Sequence, residues 1–373
     1  MDFTLDDEQE ALRDAVRGLL GKAYDSSETR REVTKQDPGF GEDTWQRLAE
    51  MGVLGLPFAE SDGGMGAGPV EVSIVAEEVG RVLAPEPFIE TVVLAGGIVA
   101  AAGTDEQRAD VLGRVAEGSL ILAAALKEIG EPVTASQSGD GWTLSGSKEP
   151  VLHGERADAF VVSAKTDAGT GLFLVEGDAS GLTRTGYRTH DGGRAAHVAF
   201  DGTSATPLGD VSADQAGVLE TAVASAQVAY CHEAVGAMTV ALNTTVEYLK
   251  TRKQFGVPLK TFQALTFRAA DMYVSMELVR SVASWATLVL TDEPTRALEA
   301  ASRAKLQVST SGRHIGQEAI QLHGGIGMTA EYSVGHYTSR LTAIDHWLGG
   351  GADHLKRLAS SVGDHEVVEP LPE

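Results

Sequence analysis

The sequence predicts a multi-domain α+β protein: an N-terminal helical domain, a middle antiparallel β-domain and a C-terminal four-helix bundle. Three observations predict it. Apolar residues recur at helical spacing through the first third. Short β-type runs separated by Gly, Asp and Ser turns fill the region from about residue 119 to 212. Helical spacing then returns and persists to the end of the 373-residue chain, whose length suits two or three domains. The expected boundaries are 1–118, 119–212 and 213–373.

The elements follow in order. Thr4 and Asp7 read as a capping pair, and Leu5, Leu12, Val16 and Leu20 carry the first helix. A second helix is expected near Thr44–Met51, and a small-residue loop from Ser61 to Pro69. Helix resumes over Val70–Gly80, and Thr104 with Gln107 caps a helix through Ala116. Strands are expected at Trp142–Gly146, Ala159–Ala164, Gly171–Val175 and Ala195–Phe200. Beyond Asp214, the stripe Phe262, Leu265, Ala269, Met272, Met276 and Val279 marks a bundle helix. Arg296–Ile320 and Gly351–Val362 read as further helices.

Composition narrows the function classes. The chain holds 53 acidic and 30 basic residues, a formal net charge of −23. Nucleic acid and anionic membranes need a basic face, so neither is expected as the main partner. The single cysteine, Cys231, forms no intrachain disulfide and no cysteine-based metal site, and it suits a reducing, cytoplasmic setting. The ten histidines include no HExxH or other close pair, so no metal is expected. The acidic start, Met1-Asp2-Phe3, does not read as a signal peptide. The uncharged stretch from Thr91 to Thr104 is shorter than the ~18–20 residues a membrane span needs. Glycine is abundant, at 43 residues.

Two segments of the last third carry a family resemblance. One is Tyr248-Leu249-Lys250-Thr251-Arg252-Lys253-Gln254-Phe255-Gly256, followed by Phe262-Gln263 and Ala270-Asp271-Met272. The other is Ile320-Gln321-Leu322-His323-Gly324-Gly325-Ile326-Gly327-Met328. Leu48-Ala49-Glu50-Met51-Gly52, Gly63-Gly64-Met65-Gly66 and Glu77-Glu78-Val79-Gly80-Arg81 add three more in order. Together they resemble the acyl-CoA dehydrogenase family over nearly the whole chain. That resemblance implies α,β-desaturation of an acyl-CoA thioester, FAD as cofactor, an electron-transfer acceptor, and a role in fatty acid or sterol degradation. It also implies that Arg252, Gln254, Phe255, Phe262, Gln263, Gln321, His323, Gly324 and Gly325 reach a neighbouring subunit's FAD. An Arg fork suits pyrophosphate, and paired glycines let backbone N–H groups approach it.

The chain departs from the family where chemistry is expected. The family's general base is a Glu near the C-terminus, a position that falls here on Gly349 or Gly350. An alternative family position, 26 residues before the motif Arg, falls on Ala226. Asp353 and Glu233 are substitute carboxylates, with Glu220 beside them on the first bundle helix. The flavin-lining Thr-Glu and Trp-Ile-Thr positions read Leu126-Lys127-Glu128 and Pro150-Val151-Leu152. This pattern resembles the incomplete partner of heteromeric bacterial members. The alternatives are a purely structural subunit, or a self-sufficient homo-oligomer using a non-standard base. A DNA-binding relative is disfavoured by the charge and by the lack of a basic cluster in the last section.

Overall fold

The computed structural model describes residues 4–139 and 141–364. The acidic start at Met1–Phe3 and the domain end at 373 lie outside the described residues. The first helix, α1 (Asp7–Ala23), is capped two residues later than Thr4 and Asp7 suggest. Asp6 accepts from the Gln9 N–H at 2.8 Å and the Gln9 side chain returns to the Asp6 N–H. Helices α2 (Ser27–Lys35), α3 (Glu42–Glu50) and α4 (Pro69–Val82) follow. A π-helical segment, Phe88–Gly96, then runs directly into α5 (Gly97–Ala102). It is fully buried, which accounts for the uncharged stretch beginning at Thr91. The Thr104–Gln107 capping box opens α6 (Asp105–Ala116) as expected.

The strands are β1 (Leu122–Ala125), β2 (Thr134–Ser138), β3 (Gly141–Leu152), β4 (Ala159–Thr166), β5 (Gly169–Glu176), β6 (Leu182–Arg188) and β7 (Arg194–Pro207). Pairings run β4–β5–β7–β3–β2 and return to β4, so the sheet closes around its own core. Phe160, Val162, Phe173, Val175 and Val198 fill that core. The sheet is antiparallel except at β4, which β1 joins in parallel and β2 meets at one parallel register pair. Short β1 and β2, and the exposed β6, were not among the β-type runs that marked β3, β4, β5 and β7.

The C-terminal part holds α7 (Ala216–Thr251), a small hairpin β8 (Lys253–Gln254) and β9 (Val257–Pro258), α8 (Gln263–Asp292), α9 (Ala297–His323), α10 (Val334–His346) and α11 (Gly351–Ser361). Helix α7 is buried along most of its length and packs on α4, α8, α9 and α10. Its crossing with α4 is unusually close. A Cβ at Gly236 would stand 2.0 Å from the Glu77 carbonyl oxygen, and one at Gly80 would stand 1.9 Å from that of Glu233. Tyr337 of α10 donates to the Arg81 carbonyl at 2.6 Å, tying the bundle to α4.

This crossing sets where the functional face of α7 lies, and it can be tested on that one helix. Gly236→Ala should cost about 1–3 kcal/mol by overpacking. Gly217→Ala, where no atom lies within 4 Å of the added Cβ, should be neutral or stabilising by up to about 1 kcal/mol. Urea unfolding of the two variants checks this, and equal effects would refute the packing account.

Candidate active site

A cavity of about 500 Å³ opens where the three parts meet. Each wall comes from a different stretch of chain. Leu126 and Lys127 reach it from the end of β1, and Pro150 and Leu152 from the end of β3. Buried Lys148 holds these two exits together. Its Nζ donates to the Leu126 carbonyl at 3.1 Å, to Ser163 Oγ at 3.1 Å and to Glu128. Burial lowers the Lys148 pKa, and the Glu128 hydrogen bond opposes that shift.

Helix α7 supplies Leu219, Val223 and Tyr230, which share one face at helical spacing. Ala226 falls on that face one turn before Tyr230 and is fully buried. The π-helical segment brings in Leu94 and Glu90. The α10–α11 connection completes the wall with Trp347, Leu348, Gly349 and Gly350, and Asp353 stands at the rim.

That connection is tightly held. Buried Lys305 of α9 donates to the carbonyls of Ile344 and of Trp347, the latter at 2.8 Å. Burial pushes its pKa down to about 8. Gln227 of α7 donates to the Leu348 carbonyl at 2.7 Å. Leu348 sits at φ +57° and Gly349 at φ +101°. An L-residue at 349 is strained, and its Cβ would meet the His354 ring at 3.0 Å. Gly350 is extended and has only ordinary contacts around a Cβ. Asp353 lies in the first turn of α11, where its Oδ2 accepts from the Gly350 N–H at 3.0 Å. That contact gives it a helix-capping role favoured by the helix dipole.

Glu233 does not line the cavity. Its carboxylate accepts from Arg340 Nε at 2.6 Å and from Nη2 at 3.0 Å, while Arg340 Nη1 donates to Asp191 at 2.7 Å. Both carboxylates are 1% exposed. Arg30 completes the cluster, donating to the Leu83 carbonyl at 2.6 Å. Burial opposes ionisation of Asp191, but the Arg340 charge and hydrogen bonds from Thr189, Arg340 and the Gly193 N–H outweigh it and hold the carboxyl at about 2. Arg340 stays charged: its two carboxylates overcome the cost of burial. Glu220 is exposed at the start of α7. Cys231 is buried, which pushes its thiol up to about 12, and it is inert packing.

The motif residues form a second, outward-facing surface. Arg252, Lys253 and Gln254 are exposed on the hairpin after α7, and among the described residues neither cationic side chain enters an ion pair. Phe255 is 91% exposed at φ +53°, with its ring edge-on to Phe262 at 6.1 Å. Gln263 opens α8 and is exposed. The second motif ends α9 close by. The buried His323 ring stacks on Tyr248 at 4.4 Å, which brings the two motifs together. Its Nδ1 donates to the Ala319 carbonyl at 2.7 Å, leaving Nε2 a buried acceptor without a partner among the described residues. Burial lowers its pKa and keeps the ring neutral. Gln321, Gly324 and Gly325 are exposed, with nothing within 4 Å of a Cβ at either glycine. None of these residues lines the cavity.

Residue motifs did not reveal Glu90, Tyr230, Lys305, Arg340 or Asp191. The one available signal was that Tyr230 follows Ala226 by a helical turn.

A helical domain, a closed sheet and a helical bundle around such a cavity define an acyl-CoA dehydrogenase fold, and the chain belongs to that family. The acyl-CoA dehydrogenase N-terminal domain matches residues 6–119 and the C-terminal domain matches residues 217–362. Acyl-CoA dehydrogenase FadE27 of Mycobacterium tuberculosis is 30% identical, over 98% of this chain and 99% of its own. The steroid acyl-CoA dehydrogenase Tcur3481–Tcur3483, solved as a G363A variant, is 34% identical with a TM-score of 0.89, covering 97% of this chain and 99% of that one. The ChsE4–ChsE5 complex from Mycobacterium tuberculosis is 28% identical with a TM-score of 0.91, covering 98% and 100%. No helix among the described residues is long and apolar enough to cross a membrane.

The ion cluster yields a stability prediction. The Asp191 contribution is complete above the ordinary carboxylate pKa of 3.8 and is lost as pH falls toward 2. Arg340→Met strands two buried carboxylates and should cost about 3–5 kcal/mol at neutral pH. The deficit should shrink as acid protonates them. Urea unfolding between pH 2 and 7.5 checks this, and a deficit independent of pH across that range would contradict it.

Proposed function

We propose that the chain is a subunit of a flavin-dependent acyl-CoA dehydrogenase that desaturates an acyl-CoA thioester together with a second, unlike subunit of the same family. The carrying observation is the wall at Gly349 and Gly350. It lines the cavity where the family's base is expected, and at 349 its backbone is shaped for glycine. Ala226, the alternative position, carries no carboxylate either. The α-proton would then be taken by a carboxylate of the partner.

The outward surface fits the anionic part of FAD. Among the described residues Arg252 and Lys253 are cations without ion-pair partners, Gly324 and Gly325 leave the backbone open, and His323 Nε2 is an unpartnered acceptor. In this reading Arg252, Gln254, Phe255, Phe262, Gln263, Gln321, His323, Gly324 and Gly325 hold a partner's FAD. When bound, FAD supplies the hydride acceptor, and reoxidation needs an electron-transfer acceptor. The chain's own flavin-facing positions, Pro150 and Leu152, offer hydrocarbon and no side-chain donor. Exposed Phe267, Val274 and Leu278 on one face of α8 support burial against another subunit. The two-component steroid dehydrogenase and the ChsE4–ChsE5 complex support a heteromer and a sterol-type acyl group.

The test mixes this chain with a family member carrying an intact catalytic Glu, then measures the FAD-to-chain ratio and acyl-CoA oxidation. About one FAD per two chains, with turnover only in the mixture, is expected. One FAD per chain with turnover by this chain alone would mean a self-sufficient enzyme using a non-standard base. Assembly with no effect on the partner's FAD content or rate would leave a purely structural subunit. In the assembly, Arg252→Ala should lower FAD retention while leaving thermal unfolding of the isolated chain unchanged.

A further inference from the structure

The cavity is walled by hydrocarbon from Leu94, Leu152, Leu219 and Val223. Lys127, His346 and Asp353 are exposed and belong to its rim. Two polar groups are different: Glu90 is 6% exposed and Tyr230 1%, yet both reach the cavity wall. The Tyr230 hydroxyl donates to Glu90 Oε1 at 2.8 Å, across 140 residues of sequence.

This pair is not absorbed by the ion cluster beside it. Arg340 directs Nε and Nη2 to Glu233 and Nη1 to Asp191. The two arginines, Arg30 and Arg340, are matched by these two carboxylates, and Glu90 is a third. Burial pushes its carboxyl up, against the Arg340 charge and the Tyr230 hydrogen bond. One shared hydrogen bond leaves capacity on both groups. The phenol oxygen keeps a lone pair, and the carboxyl has further sites. A purely hydrocarbon ligand filling this cavity would strip water from that capacity and return nothing.

We propose that Glu90 and Tyr230 are a specificity-determining pair, hydrogen-bonding an oxygen substituent on the acyl group of a CoA thioester held in this cavity. The inference rests on the acyl-CoA dehydrogenase reading given above and adds that this chain's own cavity, and not only the partner's, takes an acyl group. A ligand hydroxyl is served directly by the free lone pairs of the pair, whereas a keto oxygen is served only when Tyr230 turns its proton away from Glu90 or Glu90 carries its own. Discrimination comes from the penalty on ligands lacking that oxygen, which leave the buried pair unmet.

Isothermal titration of the full-length protein tests this. The probes are octanoyl-CoA and a set of derivatives, each with one hydroxyl or one keto oxygen between the middle and the end of the chain. At least one derivative should bind about tenfold or more tightly than octanoyl-CoA, a difference one well-made hydrogen bond can supply. Which derivative does so identifies the oxygen function. In Tyr230→Phe and in Glu90→Met the preference should fall to within about twofold, with octanoyl-CoA affinity little changed. Should Glu90→Met fail to fold, Tyr230→Phe decides alone, because it removes only the hydroxyl. A wild type without preference, or a preference surviving both substitutions, overturns the pair's role while leaving the acyl-CoA cavity standing. Failure of every thioester to bind the wild type overturns both.

Discussion

Arg340 is the interaction on which the rest of the arrangement depends. It projects from α10, binds α7 through Glu233 and reaches the turn between β6 and β7 through Asp191. Arg30, from the helical domain, caps the left-handed end of α4 at Leu83 beside the same cluster. All three parts of the molecule are thus referred to one point. A buried ion pair contributes little net stability compared with well-packed hydrocarbon, but breaking it is costly. Its effect is to fix geometry: α7 is held in one rotation and α10 in one position along it. Once those are set, the Leu219–Tyr230 face and the Trp347–Gly350 connection have only one cavity to line.

The connection after α10 shows the same preference for fixed backbone. Lys305 and Gln227 fasten carbonyl groups, and Leu348 and Gly349 take left-handed conformations. An ordered wall made of backbone and hydrocarbon differs from a collapsed remnant. In the proposed reading the cavity is kept open with glycine and alanine, at Gly349, Gly350 and Ala226, where a base is expected. On the surface formed by the motif residues the arrangement differs: cations, an exposed phenylalanine and unobstructed glycines stand outward, where contacts must come from elsewhere.

Much of this was legible in the sequence. Period and capping residues gave the helical, sheet and bundle order, because those signals are local. The motifs around Arg252 and Gln321 stood out as strings, though the stack of Tyr248 on His323 that joins them did not. Helix α10 was unread: its buried face, Val334, Tyr337, Leu341 and Ile344, does keep helical spacing, but the His, Thr, Ser and Arg between these residues mask so short a stripe. Glu90 was hidden for another reason. A π-helical segment advances fewer degrees per residue than an α-helix, so the α-helical period misplaces its faces. Asp353 and Glu233 were visible as carboxylates, but only their partners, a backbone N–H and an arginine, reveal what each does.

The overall acidity takes on a narrower meaning in this light. A surplus of 23 negative charges disfavours polyanionic partners at long range. It does not govern sites where distances are a few ångströms and solvent is excluded. Arg340, Arg30, Lys148 and Lys305 each answer to carboxylates or carbonyls inside the fold, and they organise walls rather than bind ligands. Among the described residues Arg252 and Lys253 lack such partners, on a hairpin where Phe255 holds an uncommon positive φ in the open. A backbone strained in solvent gains nothing for the isolated chain. The hairpin is intelligible as one half of a contact, and the cavity, with its glycine wall, as the other half of a different one.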